Sequence, residues 1–329
     1  MESAAFTEFD VLLLALSAIG FGMWLLIKGG DATVDAASAI AEKFNIPSLL
    51  IGFTIVAFGT SLPELLVSVN ANFKGSAGIA LGNVIGSNIA NILLVIGAAA
   101  FVYPVIADRK EIRNDTIAML VVSGVMTALL VAQQGISSSI GLLMVGALFA
   151  YVVFQYIDAR KKAVPNLDPH IEHKPLWQSG LILIIGLAGV ALGADILVRD
   201  AITAAKILHV PDAVIGLTVI AIGTSLPELS TSVVAALKKQ SGIALGNILG
   251  SNVFNILLII GVTAALKPIP ADQITPEMAS VDVWVMLAVA LLMGLMLLIR
   301  GKIGRITGFL MLALYIIYIV GTYFVYAGA

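Results

Sequence analysis

The stretch Gly52-Phe-Thr-Ile-Val-Ala-Phe-Gly-Thr-Ser-Leu-Pro-Glu64 opens a segment that the chain contains twice. Residues 52–97 recur without a gap as residues 216–261, at a constant offset of 164, and 29 of the 46 positions are identical. Each copy places one acid, Glu64 or Glu228, inside an apolar run long enough to cross a membrane. A bilayer tolerates such an acid where it has a partner or a function, so the duplicated carboxylate is the first candidate for a site.

The composition predicts an integral, multi-pass helical membrane protein. Of the 329 residues, 60% are hydrophobic and 12% are charged, and the mean hydropathy is +1.05. A soluble globular domain carries about 25% charged residues. The apolar runs are continuous, whereas the strands of a β-barrel alternate apolar and polar residues. We therefore expect an all-α chain surrounded by the lipid bilayer.

The same counts exclude several classes of function. The net charge is -2 and there is no basic tract, so nucleic acid is not an expected partner. The absence of cysteine excludes disulfides and thiolate metal ligands. No nucleophile–base pair or nucleotide-binding loop is recognisable. We expect a transporter rather than an enzyme, with no cofactor and no obligatory protein partner. The first apolar run is expected to stay in the protein as a helix.

Hydropathy predicts ten transmembrane helices in two groups of five. A polar connection, residues 158–176, divides the chain into a first half, residues 1–157, and a second half, residues 177–329. Pro47 and Pro211, again 164 apart, are expected to bend or start the second and seventh helices. The spans are expected at about residues 9–28, 34–72, 77–104, 115–132, 138–157, 177–198, 200–237, 241–267, 280–299 and 306–327.

Because five is an odd number, the two halves must enter the membrane in opposite directions. With the N-terminus outside, 14 of the 18 basic residues fall in inside segments, and the connection at 158–176 is cytoplasmic. The positive-inside rule supports this orientation. We therefore predict two inverted five-helix repeats in the plasma (inner) membrane with both termini outside, a plan typical of secondary transporters. The four basic residues left outside are Lys74, Arg199, Lys206 and Lys267.

Glu64 and Glu228 are the only acids deep in apolar sequence, and residues 46–73 contain no other charge. Three structural explanations compete with a function: a protonated acid, a packed and hydrogen-bonded acid, and an acid in a salt bridge. No Lys or Arg lies at matching depth in any span, which argues against the salt bridge. The presence of the acid at both repeat-equivalent positions favours a function.

Three other acids lie near the ends of spans, where charge is ordinary. Asp31 and Asp195, which also repeat at an offset of 164, are expected to be helix caps or interfacial anchors. Asp282 is expected to be solvated.

The residues before each acid supply oxygen ligands. Thr60 and Ser61 precede the first acid by four and three residues and so share its helical face. Pro63 cannot donate a hydrogen bond to the Gly59 carbonyl and disturbs the turn before it, so carbonyls near Ala57 and Gly59 are expected to be free. Carboxylate, hydroxyl and carbonyl oxygens suit hard cations such as Ca²⁺, Na⁺ and Mg²⁺. The second copy supplies Ala221, Gly223, Thr224, Ser225 and Glu228.

The helix that follows each acid carries a polar stripe and a ridge of glycines. The members of the stripe lie four residues apart and so share one face. They are Asn83, Ser87 and Asn91, with Asn247, Ser251 and Asn255 in the second copy. The ridge permits close approach of another helix. It consists of Gly78, Gly82 and Gly86, with Gly242, Gly246 and Gly250 in the second copy. We interpret Asn88 and Asn252, which point away from the stripe, as structural.

These motifs resemble the α-repeats of the cation/Ca²⁺ exchanger superfamily, and most closely those of prokaryotic sodium/calcium exchangers of the inner-membrane calcium/sodium antiporter type. The matching phrases are residues 52–64 with 82–91, and residues 216–228 with 246–255. The resemblance implies ten helices, Ca²⁺ and Na⁺ as substrates, and a first and sixth helix that slide against the remaining helices.

The resemblance also implies the roles of individual ligands. The Ca²⁺ ligands would be Glu64, Glu228, Thr60 and Thr224. The Na⁺ sites would be completed by the side chains of Ser61, Ser87, Ser225 and Ser251 and by the carbonyls of Ala57 and Ala221.

One position departs from part of the family. Some relatives carry Asp where this chain has Asn255, and with a second amide at Asn91 only two ionisable groups remain at the centre. We expect an antiporter that exchanges Ca²⁺ for Na⁺ by alternating access at a midplane site built from Glu64 and Glu228. An H⁺-coupled Ca²⁺ or cation exchanger is the alternative. A passive channel is a third possibility, against which the inverted halves with single buried acids argue.

Overall fold

The computed structural model describes residues 7–132, 135–162, 175–209 and 223–327. Within these ranges the chain forms eleven main helices and one short pair of strands. The helices are α1 Glu8–Phe44, α2 Ser48–Thr60, α3 Leu62–Phe73, α4 Ala77–Val102, α5 Arg109–Val131, α6 Ser138–Lys162, α7 Leu176–Ile207, α8 Leu226–Leu237, α9 Ser241–Leu266, α10 Met278–Arg300 and α11 Arg305–Ala327. The strands are β1 Val105–Ile106 and β2 Lys302–Ile303.

The helices have the lengths and composition of membrane spans, which confirms the all-α, multi-pass class. Eight of the described helices are long and apolar enough to cross a bilayer, and α2 with α3 forms a ninth span bent by 44°. The remaining expected span, 200–237, which is the seventh in chain order, contains the end of α7 and the short α8. Residues 210–222, including Pro211, lie between them outside the described residues.

The first helix of each half is longer than expected. α1 runs unbroken through residues 28–34, where we expected a connection, so the lead-in that we assigned to the second span belongs to α1. The inner face of α1 is buried in this region, where Val34 is 0% exposed, because α1 packs on α7 and α8. α1 ends where Asn45 adopts a left-handed conformation (φ 50°), and Pro47 then starts α2, as expected. α7 likewise continues past residue 198 to Ile207.

The helices that carry the polar stripes, α4 and α9, are the innermost of the bundle. In each, 78% of the most apolar 18-residue stretch is buried, against 17–44% in the other long helices. The second-copy glycine ridge lets α2 lie directly on α9. A Cβ on Gly246 would lie 2.3 Å from the Leu49 carbonyl oxygen, and one on Gly250 would lie 2.3 Å from that of Phe53. A helix of the first half is therefore pressed, backbone to backbone, on a helix of the second half.

The repeat-equivalent helices α1 and α7 form an equally close pair. A Cβ on Gly22 would lie 2.8 Å from the Gly193 carbonyl oxygen, and a Cβ on Gly29 would lie 2.8 Å from that of Gly186. Gly22, the earlier glycine of α1, contacts Gly193, the later glycine of α7, and Gly29 contacts Gly186. The two helices therefore run antiparallel. No side chain fits at these crossing points, and the backbones themselves form the contact.

Segments expected on the same side of the membrane lie together at one end of the bundle. At one end β1 pairs antiparallel with β2, and the Ser241 hydroxyl accepts the Ile106 amide at 3.2 Å. At the other end Ile136 pairs with Ile269, and Asn72 donates to a carbonyl beyond α9. This grouping agrees with the inverted arrangement. Which end faces the cytoplasm stays a prediction.

At the end that carries β1 and β2, an ion-pair cluster joins α1 to α8. Lys238 Nζ lies 2.7 Å from Asp35 Oδ1 and 3.3 Å from Asp31 Oδ1. Partial burial lowers the pKa of Lys238, but the hydrogen bonds and charges of Asp35 and Asp31 outweigh it and raise that pKa above its usual value. Asp31 is thus an anchor between helices rather than a helix cap.

Candidate functional site

The first motif lies at the bend between α2 and α3. Ser61 ends α2 with φ −86° and ψ 2°, and Pro63, in the first turn of α3, has no amide hydrogen for the Gly59 carbonyl. The expectation of a free carbonyl at Ala57 is wrong. That oxygen accepts the Ser61 amide at 3.0 Å and lies 3.3 Å from the Thr60 hydroxyl, because the helical bond survives one residue before the bend.

The two acids come together at one place from the two halves. Glu64 and Glu228 are each 1% exposed. The hydroxyl of Ser61, in the first half, donates to Glu228 Oε1 at 3.2 Å, and Ser251 Oγ lies 3.5 Å from the same oxygen. Neither acid has a Lys or Arg partner in the described part of the chain. The charge of the pair is therefore left without a basic counterion there.

Several polar atoms of the acids and of the other candidate ligands are buried without a hydrogen-bond partner among the described residues. Both acids leave one carboxylate oxygen, Oε2, in this state. The other such atoms at the candidate ligands are Ser87 Oγ, Ser225 Oγ, Asn255 Oδ1 and both amide atoms of Asn91. An unpaired buried polar atom costs about 1–3 kcal/mol, and a charged one more. A bound cation would satisfy the oxygens among them at once.

The donor set is mixed rather than purely acidic. No three His, Asp or Glu side chains gather as metal ligands within the described ranges. A cation between Glu64 and Glu228 would therefore depend on hydroxyl and amide oxygens as well. Oxygen-only sets of this kind suit Ca²⁺ and other hard cations.

The remaining candidate ligands are Asn91, Asn255, Thr224 and Ala221. Asn91 and Asn255, each 1% exposed, begin the π-helical turns Asn91–Val95 and Asn255–Ile260. Such turns are frequent at functional sites because an extra residue loosens the helical hydrogen bonding. Thr224 is half-buried next to Ser225. Ala221 lies outside the described residues, so its carbonyl stays a predicted ligand.

The outermost residues of the two stripes hold helices together. Asn83 Nδ2 donates to Ser68 Oγ at 3.0 Å, and Asn247 Nδ2 donates to Ser232 Oγ at 2.9 Å. Ser68 and Ser232 are 164 residues apart, so the contact is the same in both halves. Asn247 Oδ1 also lies 3.2 Å from the Thr60 hydroxyl, which connects this support to the site.

Asn88 lies closer to the site than we expected. Its Oδ1 accepts a hydrogen bond from Asn255 Nδ2 at 3.0 Å, so it contacts a candidate ligand. Sequence reasoning assigned it to a packing face because its helical phase differs from that of the stripe, but the contact crosses from α4 to α9.

Two buried acid–tyrosine pairs were also missed. The Tyr151 hydroxyl donates to Asp115 Oδ1 at 2.7 Å, and the Tyr318 hydroxyl to Asp282 Oδ1 at 3.4 Å. Asp282 is 8% exposed, so the expectation that it is solvated is wrong. In both pairs the residues are 36 apart, and the pairs are offset by 167 rather than 164. A search for a second repeat at a shifted offset could have found them.

Comparison with known proteins gives the family. The family model described as "Sodium/calcium exchanger protein" matches residues 14–157 and again residues 179–324. CaxA of Alkalimonas amylolytica is 39% identical over 90% of this chain and 93% of its own length. The sodium/calcium exchanger MaX1 of Methanosarcina acetivorans is 31% identical over 92% of this chain and 97% of its own length.

A solved structure agrees in fold and in sequence. The sodium/calcium exchanger from Methanococcus jannaschii superposes with a TM-score of 0.80 at 35% identity, covering 94% of this chain and 98% of that chain. Both the sequence and the helical arrangement thus extend over nearly the whole length. The chain belongs to the sodium/calcium exchanger protein family.

Proposed function

We propose that this membrane ion exchanger moves Ca²⁺ out of the cell in exchange for entering Na⁺, at a site shared by Glu64 and Glu228. The observation that carries the proposal is the burial of two carboxylates, each 1% exposed and without a basic partner in the described residues, with Ser61 of the first half donating to Glu228 of the second. A pair of uncompensated buried charges is costly, and a cation offsets that cost.

The ligand roles are those that the resemblance to the exchanger family implies, and the donor chemistry agrees with them. Glu64 and Glu228, with the Thr60 and Thr224 hydroxyls, would bind Ca²⁺, because a divalent ion is neutralised by two carboxylates. Na⁺ would use the same carboxylates with weaker neutral donors. Those donors are Ser61, Ser87, Ser225 and Ser251 and the carbonyl of Ala221. The amide oxygens of Asn91 and Asn255 would serve either ion.

The same buried charges explain why the site would exchange one ion for another rather than let a single ion leak across the membrane. A site with two ionised carboxylates and no bound cation would carry two buried negative charges, and closing it away from water would be strongly unfavourable. Either one Ca²⁺ or several monovalent ions must therefore be bound before the site can change sides. This requirement couples the two fluxes.

Access would alternate by movement of α1 and α7 against the remaining helices. Their mutual contact is backbone to backbone at two glycine crossings, which cannot be separated without losing packing. The polar contacts between α1 and α8 are the partly exposed ion pairs at Lys238 and the bond from the Ser230 hydroxyl to the Leu26 carbonyl at 2.6 Å. Exposed ion pairs are worth only about 0.2–1 kcal/mol each and net hydrogen bonds about 0.5–1.5 kcal/mol. We place the chain in the plasma membrane with both termini outside and residues 158–176 in the cytoplasm.

The test is a gradient exchange in proteoliposomes. Vesicles loaded with Na⁺ should take up ⁴⁵Ca²⁺ when diluted into Na⁺-free buffer, and external Na⁺ should release it. The alternative, H⁺ coupling, has one specific support: Asn91 and Asn255 are neutral, so two protons on Glu64 and Glu228 would balance one Ca²⁺. Uptake that follows a pH gradient and ignores Na⁺ would replace the first proposal by the second. Uptake that needs no counter-ion gradient of either kind would indicate a channel.

A further inference from the structure

Asn88 belongs to the first half, and it is buried where it bonds to residues of the second half. Its Nδ2 donates to the Asn252 carbonyl at 3.3 Å and lies 3.8 Å from Met286 Sδ. Its Oδ1 accepts from Asn255 Nδ2 at 3.0 Å. Asn88, Asn252 and Asn255 are each 1% exposed, so water does not compete for these bonds.

The bonds fix which way each amide group points. A backbone carbonyl can only accept, so Asn88 must present its NH₂ group to Asn252. Its oxygen then faces Asn255, so the side chain of Asn255 must donate through its own NH₂ group. A flip of the Asn255 amide would bring two carbonyl-type oxygens to about 3 Å with no hydrogen between them. The oxygen of Asn255 is therefore turned away from Asn88, and it is buried without a partner among the described residues.

The equivalent position in the other half has no such arrangement. Asn252 Nδ2 donates to the Ile248 carbonyl in its own helix at 2.9 Å, and both amide atoms of Asn91 are without a partner among the described residues. The two repeats thus differ although both carry Asn at these two positions. The Asn255 amide is held in one orientation, whereas no hydrogen bond from the described residues holds the Asn91 amide.

We infer that Asn88 is a positioning residue, which orients the Asn255 amide so that its oxygen, not its nitrogen, faces the transported cation. The inference rests on the proposed function, because it treats Asn255 as a cation ligand. An amide nitrogen at that place would repel a cation with its hydrogens. Asn88 acts on binding through Asn255 and does not itself contact the ion.

The first experiment measures the Ca²⁺ concentration that gives half-maximal ⁴⁵Ca²⁺ uptake into Na⁺-loaded proteoliposomes. Asn88→Ala should raise this KM about tenfold, the loss expected for one well-oriented neutral ligand, with a smaller change in maximal rate. The matched control is Asn252→Ala, the same residue type at the repeat-equivalent position with the same burial. It should leave KM within about twofold of the native chain, because its side chain contacts no candidate ligand in the described residues.

The second experiment is a double-mutant cycle that a merely structural role would not satisfy. In an Asn255→Ala background, Asn88→Ala should raise KM no further, because the group it positions is gone. An equal rise in both backgrounds, or a rise of the same size with Asn252→Ala, would overturn the inference. If Asn88→Ala does not fold, Asn88→Ser replaces it, since its hydroxyl can bond the carbonyl one turn earlier.

Failure of this inference is distinguishable from failure of the proposed function. If the native chain shows Na⁺-driven uptake, Glu228→Gln abolishes it and Asn88→Ala changes nothing, the transport proposal stands and the positioning role falls. If the native chain shows no Na⁺-driven uptake, the proposed function itself is wrong.

Discussion

Replacing Glu228 by Gln removes one charge from the site while leaving its shape. Glu228 Oε1 accepts from Ser61 at 3.2 Å, and a Gln amide oxygen can accept the same bond. The group that changes is the other oxygen, Oε2, which has no partner among the described residues. Loss of function in Glu228→Gln would therefore report lost charge rather than lost packing.

The size of the effect follows from Coulomb's law. Two unit charges about 4 Å apart at an effective dielectric constant of about 20 attract by about 4 kcal/mol. For a divalent ion the figure doubles to about 8 kcal/mol, against about 4 kcal/mol for Na⁺. At about 1.4 kcal/mol per tenfold change, Ca²⁺ affinity should fall by more than five orders of magnitude and Na⁺ affinity by about three.

Two measurements check this prediction. ⁴⁵Ca²⁺ uptake into Na⁺-loaded vesicles should fall to background in Glu228→Gln, and Ca²⁺ should no longer raise the melting temperature of the detergent-solubilised protein. Asp282→Asn is the matched control: Asp282 is 8% exposed, and an Asn oxygen can still accept the Tyr318 hydroxyl. The control should keep both properties. Ca²⁺ binding in Glu228→Gln within tenfold of the native value would refute the assignment of this charge to the site.

Three further changes test other parts of the molecule. Gly250→Ala should cost about 1–3 kcal/mol of stability and abolish transport, because its Cβ would lie 2.3 Å from the Phe53 carbonyl oxygen. The control is Gly146→Ala, whose Cβ would have no described atom within 4 Å and which should melt at the same temperature as the native protein. Lys238→Gln should shift the equilibrium toward the form in which the Asp31–Asp35 end of α1 is open, by about 1 kcal/mol or less, because it removes two ion pairs. The measurement is the labelling rate of a cysteine introduced at that end. Unchanged labelling would mean that the ion pairs do not oppose opening. Asn255→Asp should add a third ionisable group and make Ca²⁺ flux depend on pH more steeply than in the native chain; identical pH profiles would show that position 255 does not face the ion.

The sequence was sufficient for the features that depend on repetition and hydropathy. The offset of 164 identified Glu64 and Glu228 as equivalent, and the odd helix number made their halves inverted. Helical phase also predicted that the Ser61 and Ser251 hydroxyls lie near the acids, and both lie within 3.5 Å of Glu228 Oε1. These predictions succeed because helical phase fixes which side chains share a face, and in a membrane the buried polar face has few alternatives.

The features that the sequence did not reveal depend on contacts between distant segments. α1 continues through Lys28 and Asp31, residues that resemble a connection, because its inner face is buried against α7 and α8. The bond from Asn255 to Asn88 spans 167 residues and crosses from one half to the other. Periodicity within a helix contains no information on such pairings, and the Asn residues that both repeats carry give no warning that their contacts differ.

The glycine crossings between α1 and α7 would make the two helices move together in the proposed alternating access. At Gly22 and Gly29 the neighbouring backbone lies where a side chain would begin, so neither helix can slip by a residue without driving a larger side chain into its neighbour. The two helices come from opposite halves and run in opposite directions. In the proposed cycle, a displacement that exposes the site on one face of the membrane would therefore carry the partner helix the same distance toward covering it on the other face. A drug or antibody that binds the outer end of one helix and holds it in place would block ion movement in both directions.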